Sequence, residues 1–212
     1  METVNQIQQK IASYLLQIKA IKLSPSNPFT WASGLKSPIY CDNRTTLSFP
    51  EVRNYIRDSF CTLIRQQYPD VEVIAGVATG AIAHGVLVAE QMSLPFVYVR
   101  SDAKKHGMCN QVEGCLQSGQ KVVVIEDLVS TGGSSLVAVE ALRAAGANVL
   151  GLYAIFTYGF QRAYDAFSNA SCNLDTLSNY DALIENASQS GYIDANQAEA
   201  LKKWRHAPDE WK

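Results

Sequence analysis

Apolar residues recur at helical spacing in the first third of the chain. Val4, Ile7, Ile11, Leu15 and Ile18 follow one another at intervals of three or four, which predicts an amphipathic helix over residues 3–19. A second helix is expected to begin at Pro50, because proline suits the first helical position. Its buried face would carry Val52, Tyr55, Ile56, Leu63 and Ile64. The intervening residues 24–44 hold three prolines and Gly34, which favours a loop or short strands.

Continuous apolar runs further along the chain predict strands that are buried on both faces, as in a parallel sheet. They lie at 71–78, 96–100, 121–127 and 149–157. Helical patterns are expected at 81–92, 134–145, 159–168, 179–189 and 195–206. Alternation of strands and helices predicts an α/β fold with a mostly parallel central sheet flanked by helices. The length of 212 residues suits a single domain, residues 1–212.

Charge and composition narrow the functional classes. A formal net charge of −2 argues against a general nucleic-acid surface. The amphipathic N-terminus and the lack of an apolar run of roughly 20 residues predict neither a signal peptide nor a membrane span. Five cysteines without a CxxC motif favour reduced thiols and a cytoplasmic location. A redox pair of Cys109 and Cys115 is a minor alternative.

The segment Lys121–Ser135, KVVVIEDLVSTGGSS, carries the most specific chemistry. A buried strand ends in Glu126 and Asp127, and small hydroxyl and glycine residues then lead into a helix. Free N–H groups and the helix dipole at such a turn favour a phosphate. Carboxylates only accept hydrogen bonds, so the two acids should face sugar hydroxyls or a cation. The alternative is an ordinary capped helix. Neither GxxxxGK[ST] nor GxGxxG is present.

Two other segments are candidates for anion binding. The turn GVATGAIAHG at 76–85 could cradle an anion or could use small residues for packing alone; its His84 is expected to be a packed histidine. The polar stretch 101–119 groups Lys104, Lys105 and His106, and a long loop inside a compact domain is usually functional. A merely solvated basic loop is the alternative.

The 121–135 segment resembles the phosphoribosyl pyrophosphate motif of the type I phosphoribosyltransferases. The resemblance implies that Glu126 and Asp127 hold the ribose hydroxyls and that the following turn wraps the 5′-phosphate. The implied binding residues after the acids are Leu128, Val129, Ser130, Thr131, Gly132, Gly133 and Ser134. The same resemblance favours the pyrophosphate as the ligand of the 76–85 turn.

Two further segments, FTWASGLKSPIYCDNR (29–44) and RSDAKKHGMCNQVEG (100–114), resemble the orotate phosphoribosyltransferases. The first implies a small N-terminal hood, about 20–45, over the base. The second implies a mobile catalytic loop, about 101–117, that reaches into a neighbouring subunit, and hence a homodimer with shared active sites. By this resemblance Arg100, Lys104 and His106 are catalytic, and Lys105 joins them in binding the phosphoribosyl pyrophosphate.

The implied reaction transfers the 5-phosphoribosyl group from phosphoribosyl pyrophosphate to orotate, giving orotidine 5′-monophosphate and pyrophosphate in UMP synthesis. Mg²⁺ is the expected cofactor, held mainly by substrate oxygens rather than by dedicated protein ligands. Ser130, Tyr40 and Lys36 are the expected orotate contacts. Ala32 and Ser101 stand where many relatives carry lysine.

Two alternatives to this reaction stay open. One is a phosphoribosyltransferase for another base, such as a purine. The other is a non-catalytic regulator that senses phosphoribosyl pyrophosphate, although no basic recognition helix is visible in the sequence.

Overall fold

The computed structural model describes residues 2–30, 34, 36–100 and 111–208. Seven α-helices and a 3₁₀ helix, Asn43–Ser48, lie in this part of the chain. The α-helices are α1 (Val4–Gln17), α2 (Pro50–Gln67), α3 (Ile82–Met92), α4 (Gly133–Ala144), α5 (Gln161–Asn169), α6 (Tyr180–Gln189) and α7 (Ala195–His206). The strands described are β1 (Ile21–Leu23), β2 (Phe29–Thr30), β3 (Lys36–Ser37), β4 (Ile39–Cys41), β5 (Val73–Val77), β6 (Phe96–Val99), β7 (Val112–Glu113), β8 (Lys121–Val129), β9 (Asn148–Thr157) and β10 (Leu174–Asn179).

Six strands form the central sheet, in the order β10-β9-β8-β5-β6-β7. All neighbours run parallel except β7, which pairs antiparallel with β6. The mostly parallel α/β fold predicted from the sequence is therefore confirmed. Because β5, β6, β8 and β9 point the same way, their carboxyl ends meet at one edge of the sheet, where ligands bind in such folds.

Each central strand is buried on both faces, which explains why its apolar residues do not alternate with polar ones. In β8, Val123 and Ile125 face a core shared with α1, α2, α3, α6 and α7. Val122 and Val124 face the opposite core, which includes Leu142 of α4. The helices thus cover both sides of the sheet and leave its edge of strand ends free for a site.

The N-terminal segment forms two small antiparallel pairs, β1 with β4 and β2 with β3. The Asp42 N–H donates to the Ala20 carbonyl at 2.8 Å, and Ile39 is fully buried. The short strands expected between residues 24 and 44 are therefore present, and they bring the following 3₁₀ helix to the sheet edge.

Three details differ from the expectations. Strand β10 was not predicted, since its sequence LDTLSN lacks an apolar run. Strand β7 lies inside residues 101–117, the stretch expected as a mobile loop, and the Arg100 N–H donates to the Gln111 carbonyl at 2.9 Å. Val4, placed on the buried stripe of α1, is 51% exposed.

None of the helices in the described part of the chain is both long and apolar enough to cross a bilayer.

Candidate active site

The two acids of β8 lie at the sheet edge but in different surroundings. Glu126 is buried and both of its carboxylate oxygens accept a hydrogen bond: Oε1 from the Asp127 N–H at 2.9 Å and Oε2 from Ser135 Oγ at 2.9 Å. Ser135 is itself buried in the first turn of α4. The expected site residues did not include Ser135, although it stands in the same motif.

Burial governs the charge of Glu126. Loss of hydration, and then the neighbouring charge of Asp127, together raise the pKa of Glu126 to about 8. In the ligand-free protein Glu126 is therefore protonated at neutral pH. A hydroxyl that donates to the carboxylate favours its charged form, so a bound sugar would pull the pKa of Glu126 downward.

We expect Glu126 to make the ligand-free protein less stable as the pH rises. An unfolded glutamate ionises near pH 4.3 or so, whereas the folded pKa is about 8, so the folded state binds more protons between these values. The free energy of unfolding should fall across that window by up to about 1.4 kcal/mol per pH unit. Urea unfolding at several pH values measures it. Glu126→Gln, which mimics the protonated side chain, should flatten this part of the profile; an unchanged profile would contradict the assignment.

Asp127 is half-buried and meets the turn after β5. A Cβ built on Gly80 would lie 2.2 Å from Asp127 Oδ2, so the carboxylate occupies the space that a side chain at position 80 would need. The Asp127 carbonyl accepts from Asn43 Nδ2 at 2.6 Å. The structure thus brings the acid, the 76–85 turn and the 3₁₀ helix together.

The small-residue turn leads from β8 into α4. Gly132 is buried with φ +85, and a Cβ there would meet Phe167 Cε2 at 2.9 Å, so this position needs glycine. Gly133 and Ser134 are exposed, and a Cβ on Gly133 would meet nothing within 4 Å. No side chain caps α4 in this fully described turn, so its first N–H groups are free to bind an anion.

The remaining residues of the turn differ in how they could contribute. Ser130 and Leu128 are half-buried, and Thr131 is exposed. Val129 is fully buried, and its carbonyl accepts from Thr157 Oγ1 at 2.9 Å. Its side chain belongs to the core, so only its backbone could face a ligand.

A cavity of about 220 Å³ opens beside the turn. Its lining residues are Tyr40, Cys41, Leu128, Ser130 and Tyr158. Tyr40 and Ser130, two of the three expected orotate contacts, therefore share one cavity. An aromatic wall and a hydroxyl suit a planar heterocycle with polar edges.

Lys36, the third expected orotate contact, is not part of this lining. Its Nζ donates to Thr30 Oγ1 at 2.8 Å across the β2–β3 pair. Arg44, a further cation of the same segment, is also engaged, because Asp42 accepts from its Nε at 2.7 Å and its Nη2 at 2.9 Å.

Cys41 and Tyr158 were missed in the sequence. Tyr158 directly follows β9, so its position at a strand's carboxyl end was the available signal. The Trp204 ring of helix α7 packs edge-on against Tyr158, with centroids 6.0 Å apart, so α7 supports this wall of the cavity from behind.

Arg100 follows β6 at the same edge of the sheet. Its Nη1 lies 3.5 Å from Glu113 Oε1. Lys104, Lys105, His106 and Cys109 lie outside the described residues, as do Ala32 and Ser101, and Cys115 is an exposed free thiol.

His84 behaves as the packed histidine expected from the sequence. It is buried, and its Nε2 lies 3.0 Å from Thr46 Oγ1. Burial, and then the charge of Arg53, lower the pKa of His84 to about 4, so the ring is neutral at physiological pH.

Within residues 2–30, 34, 36–100 and 111–208, no three His, Cys, Asp or Glu side chains come together as a group that could hold a metal ion.

The sequence matches known proteins along almost its whole length. Residues 49–173 match the model of the phosphoribosyl transferase domain. Orotate phosphoribosyltransferase of Porphyromonas gingivalis is 57% identical over 95% of this chain and 96% of its own. The chain belongs to the orotate phosphoribosyltransferase family. The enzyme of that name from Staphylococcus saprophyticus is 56% identical over 92% of this chain and 96% of its own length.

Solved structures of other proteins share the fold. Orotate phosphoribosyltransferase from Aeropyrum pernix superposes with a TM-score of 0.75 at 27% identity, over 87% of this chain and 99% of its own. Leishmania donovani UMP synthase superposes with a TM-score of 0.79, over 95% of this chain and 42% of its own, but its 22% identity supports the fold alone. The family and fold inferred from the motifs are therefore confirmed.

Proposed function

We propose that this protein transfers the 5-phosphoribosyl group from phosphoribosyl pyrophosphate to orotate, releasing pyrophosphate and forming orotidine 5′-monophosphate for UMP synthesis. One observation carries the proposal: paired acids, a free helix N-terminus and a base-sized cavity of about 220 Å³ meet at one sheet edge. The relatives at 53–57% identity that bear the orotate phosphoribosyltransferase name support the choice of base.

The substrate would lie along this edge in three parts. Asp127 and Glu126 would accept hydrogen bonds from the ribose hydroxyls, and the start of α4 would bind the 5′-phosphate through its N–H groups. The base would stack in the cavity with Tyr40 and Tyr158. The turn containing Gly80 lies against Asp127, which supports the pyrophosphate as its ligand.

The chemistry would rest on charge. As the bond between ribose C1 and the pyrophosphate oxygen breaks, the electron pair leaves with the pyrophosphate and the ribose gains oxocarbenium character. Orotate N1 then bonds to C1 and gives up its proton, which would pass to the departing pyrophosphate. Arg100, Lys104, Lys105 and His106 are the proposed cations that stabilise the departing pyrophosphate. Exclusion of water by the closed site would protect the ribosyl cation from hydrolysis.

Mg²⁺ is the proposed cofactor. The donors at this edge are carboxylate and hydroxyl oxygens, the chemistry that suits Mg²⁺ and its bound waters, and the substrate's phosphate oxygens would hold the ion. When bound, it would neutralise pyrophosphate charge.

We also propose a cytoplasmic homodimer. The free thiols of Cys41, Cys61, Cys115 and Cys172 support a reducing compartment. The likeness of residues 100–114 to the family's loop supports active sites shared between two copies.

A base-specificity assay tests the function. The purified protein is given phosphoribosyl pyrophosphate and Mg²⁺ with orotate, adenine, hypoxanthine or uracil, and both pyrophosphate and nucleotide are measured. Stoichiometric pyrophosphate and orotidine 5′-monophosphate with orotate alone is the expected result. Turnover with a purine would replace the proposal by another base, since an adenine phosphoribosyltransferase shares the fold with a TM-score of 0.64. Tight binding without turnover of any base would favour a regulator.

A further inference from the structure

Asn43 connects two halves of the candidate site through one side chain. Its Nδ2 donates to the Asp127 carbonyl at 2.6 Å, and its Oδ1 accepts from Cys41 Sγ at 3.4 Å. The carbonyl partner fixes the orientation of the amide, because a carbonyl can only accept. Asn43 is 1% exposed, so water cannot easily replace either partner.

The two partners belong to different parts of the proposed substrate site. Cys41 lines the cavity assigned to the base, and Asp127 carries the carboxylate assigned to the ribose. We propose that Asn43 is a positioning residue that fixes the base cavity relative to the ribose acid. The inference rests on the proposed function, since it assigns base and ribose to these two places.

The backbone of Asn43 is held independently of its amide. Its carbonyl accepts from Thr46 Oγ1 at 2.5 Å, and Thr46 in turn contacts His84 of α3. Asp42 caps the 3₁₀ helix by accepting from the Arg44 N–H at 3.2 Å. The 3₁₀ helix therefore keeps its own anchors when the Asn43 amide is removed, and the amide serves the contact between the helix and β8.

Geometry makes the amide important for both substrates. The glycosidic bond forms between a base in the cavity and a ribose on Asp127, so a shift of the 3₁₀ helix changes their separation. A misplacement of about 1 Å can cost around a hundredfold in rate. Loss of the amide would also leave the Asp127 carbonyl without its buried donor, which that carbonyl could recover only by moving.

Steady-state kinetics on Asn43→Ala and on the similarly sized Asn43→Leu test the proposal. Both variants should lose at least about tenfold in kcat/KM for orotate and for phosphoribosyl pyrophosphate alike. Asn43→Leu fills the space of the amide but has no donor for the Asp127 carbonyl. It therefore also tests the proposal if Asn43→Ala does not fold.

Ser178→Ala is the matched control. Ser178 is fully buried on β10, and its Oγ donates to the Gln8 carbonyl at 2.9 Å, so the variant also removes a buried hydrogen bond but leaves the 3₁₀ helix and the Asn43 amide in place. A kcat/KM close to wild type in Ser178→Ala is expected. Equal losses in the control and the Asn43 variants, or folded Asn43 variants with wild-type kinetics, would overturn the proposal. Wild-type activity with orotate, measured alongside, separates this failure from a failure of the proposed function.

Discussion

Replacing Lys104 by alanine is expected to lower turnover with orotate at least about a hundredfold, with the melting temperature unchanged. The departing pyrophosphate gains charge in the transition state, and removing a single group aimed at such charge commonly costs 10²–10³ in kcat or so. Lys104 stands in a polar part of the sequence, and replacing a lysine by alanine removes a charge rather than an apolar side chain, so we expect little change in stability. Stopped-assay turnover at saturating substrates and thermal unfolding measure the two effects.

Lys203→Ala provides the charge-matched control for Lys104→Ala. Lys203 lies on α7, its side chain is 73% exposed, and it makes a 3.8 Å ion pair with Glu199. It should leave turnover and KM at wild-type values. Turnover in Lys104→Ala that equals wild type would remove Lys104 from the catalytic residues and would return the 101–119 segment to a solvated basic loop.

The central strands could be predicted because both of their faces are buried, and burial on both faces requires a continuous run of apolar residues. Strand β8 contacts a core on each face, so its run of valine and isoleucine is continuous and distinct from a surface strand. Among the described strands, β10 is at the border of the sheet and pairs with β9 alone. A border strand tolerates polar residues such as those of LDTLSN. Strand β7 has two residues and depends on pairing with β6, which no local pattern reports.

Some parts of the candidate site could likewise be predicted from the sequence, and others could not. The acids, Gly132 and the start of α4 are contiguous in sequence, so their chemistry could be inferred together. The cavity joins Cys41, Leu128 and Tyr158 from three segments, and only the fold shows that they meet. Lys36 was expected at the base from its segment alone, but in the described structure its ammonium group hydrogen-bonds to Thr30.

Asp127→Asn should weaken the binding of phosphoribosyl pyrophosphate by about 10- to 100-fold. Hydrogen bonds to a charged group contribute roughly 1.5–3 kcal/mol, and an amide oxygen accepts more weakly. The fold should persist, because Asn43 bonds the backbone carbonyl and not the carboxylate. Since the charge of Asp127 helps raise the pKa of Glu126, the variant should also move that pKa downward. Calorimetric titration without base measures the affinity.

Asp175→Asn is the matched control for Asp127→Asn. Asp175 is a half-buried carboxylate on β10 that accepts from Gln67 Nε2 at 3.0 Å. The same chemical change there should leave the affinity for phosphoribosyl pyrophosphate unaltered. Full affinity in Asp127→Asn would contradict the ribose role.

A second variant, at Gly80, should displace the Asp127 carboxylate without changing Asp127 itself. In Gly80→Ala the new Cβ would lie 2.2 Å from Asp127 Oδ2, so the carboxylate must turn away from its present position. Gly80→Ala should therefore weaken the binding of phosphoribosyl pyrophosphate by displacing this carboxylate, in addition to any effect on the turn assigned to the pyrophosphate. Because the displacement of the carboxylate is shared with Asp127→Asn, the losses in the double variant Gly80→Ala, Asp127→Asn should be less than additive. Fully additive losses would mean that Gly80→Ala does not act through Asp127.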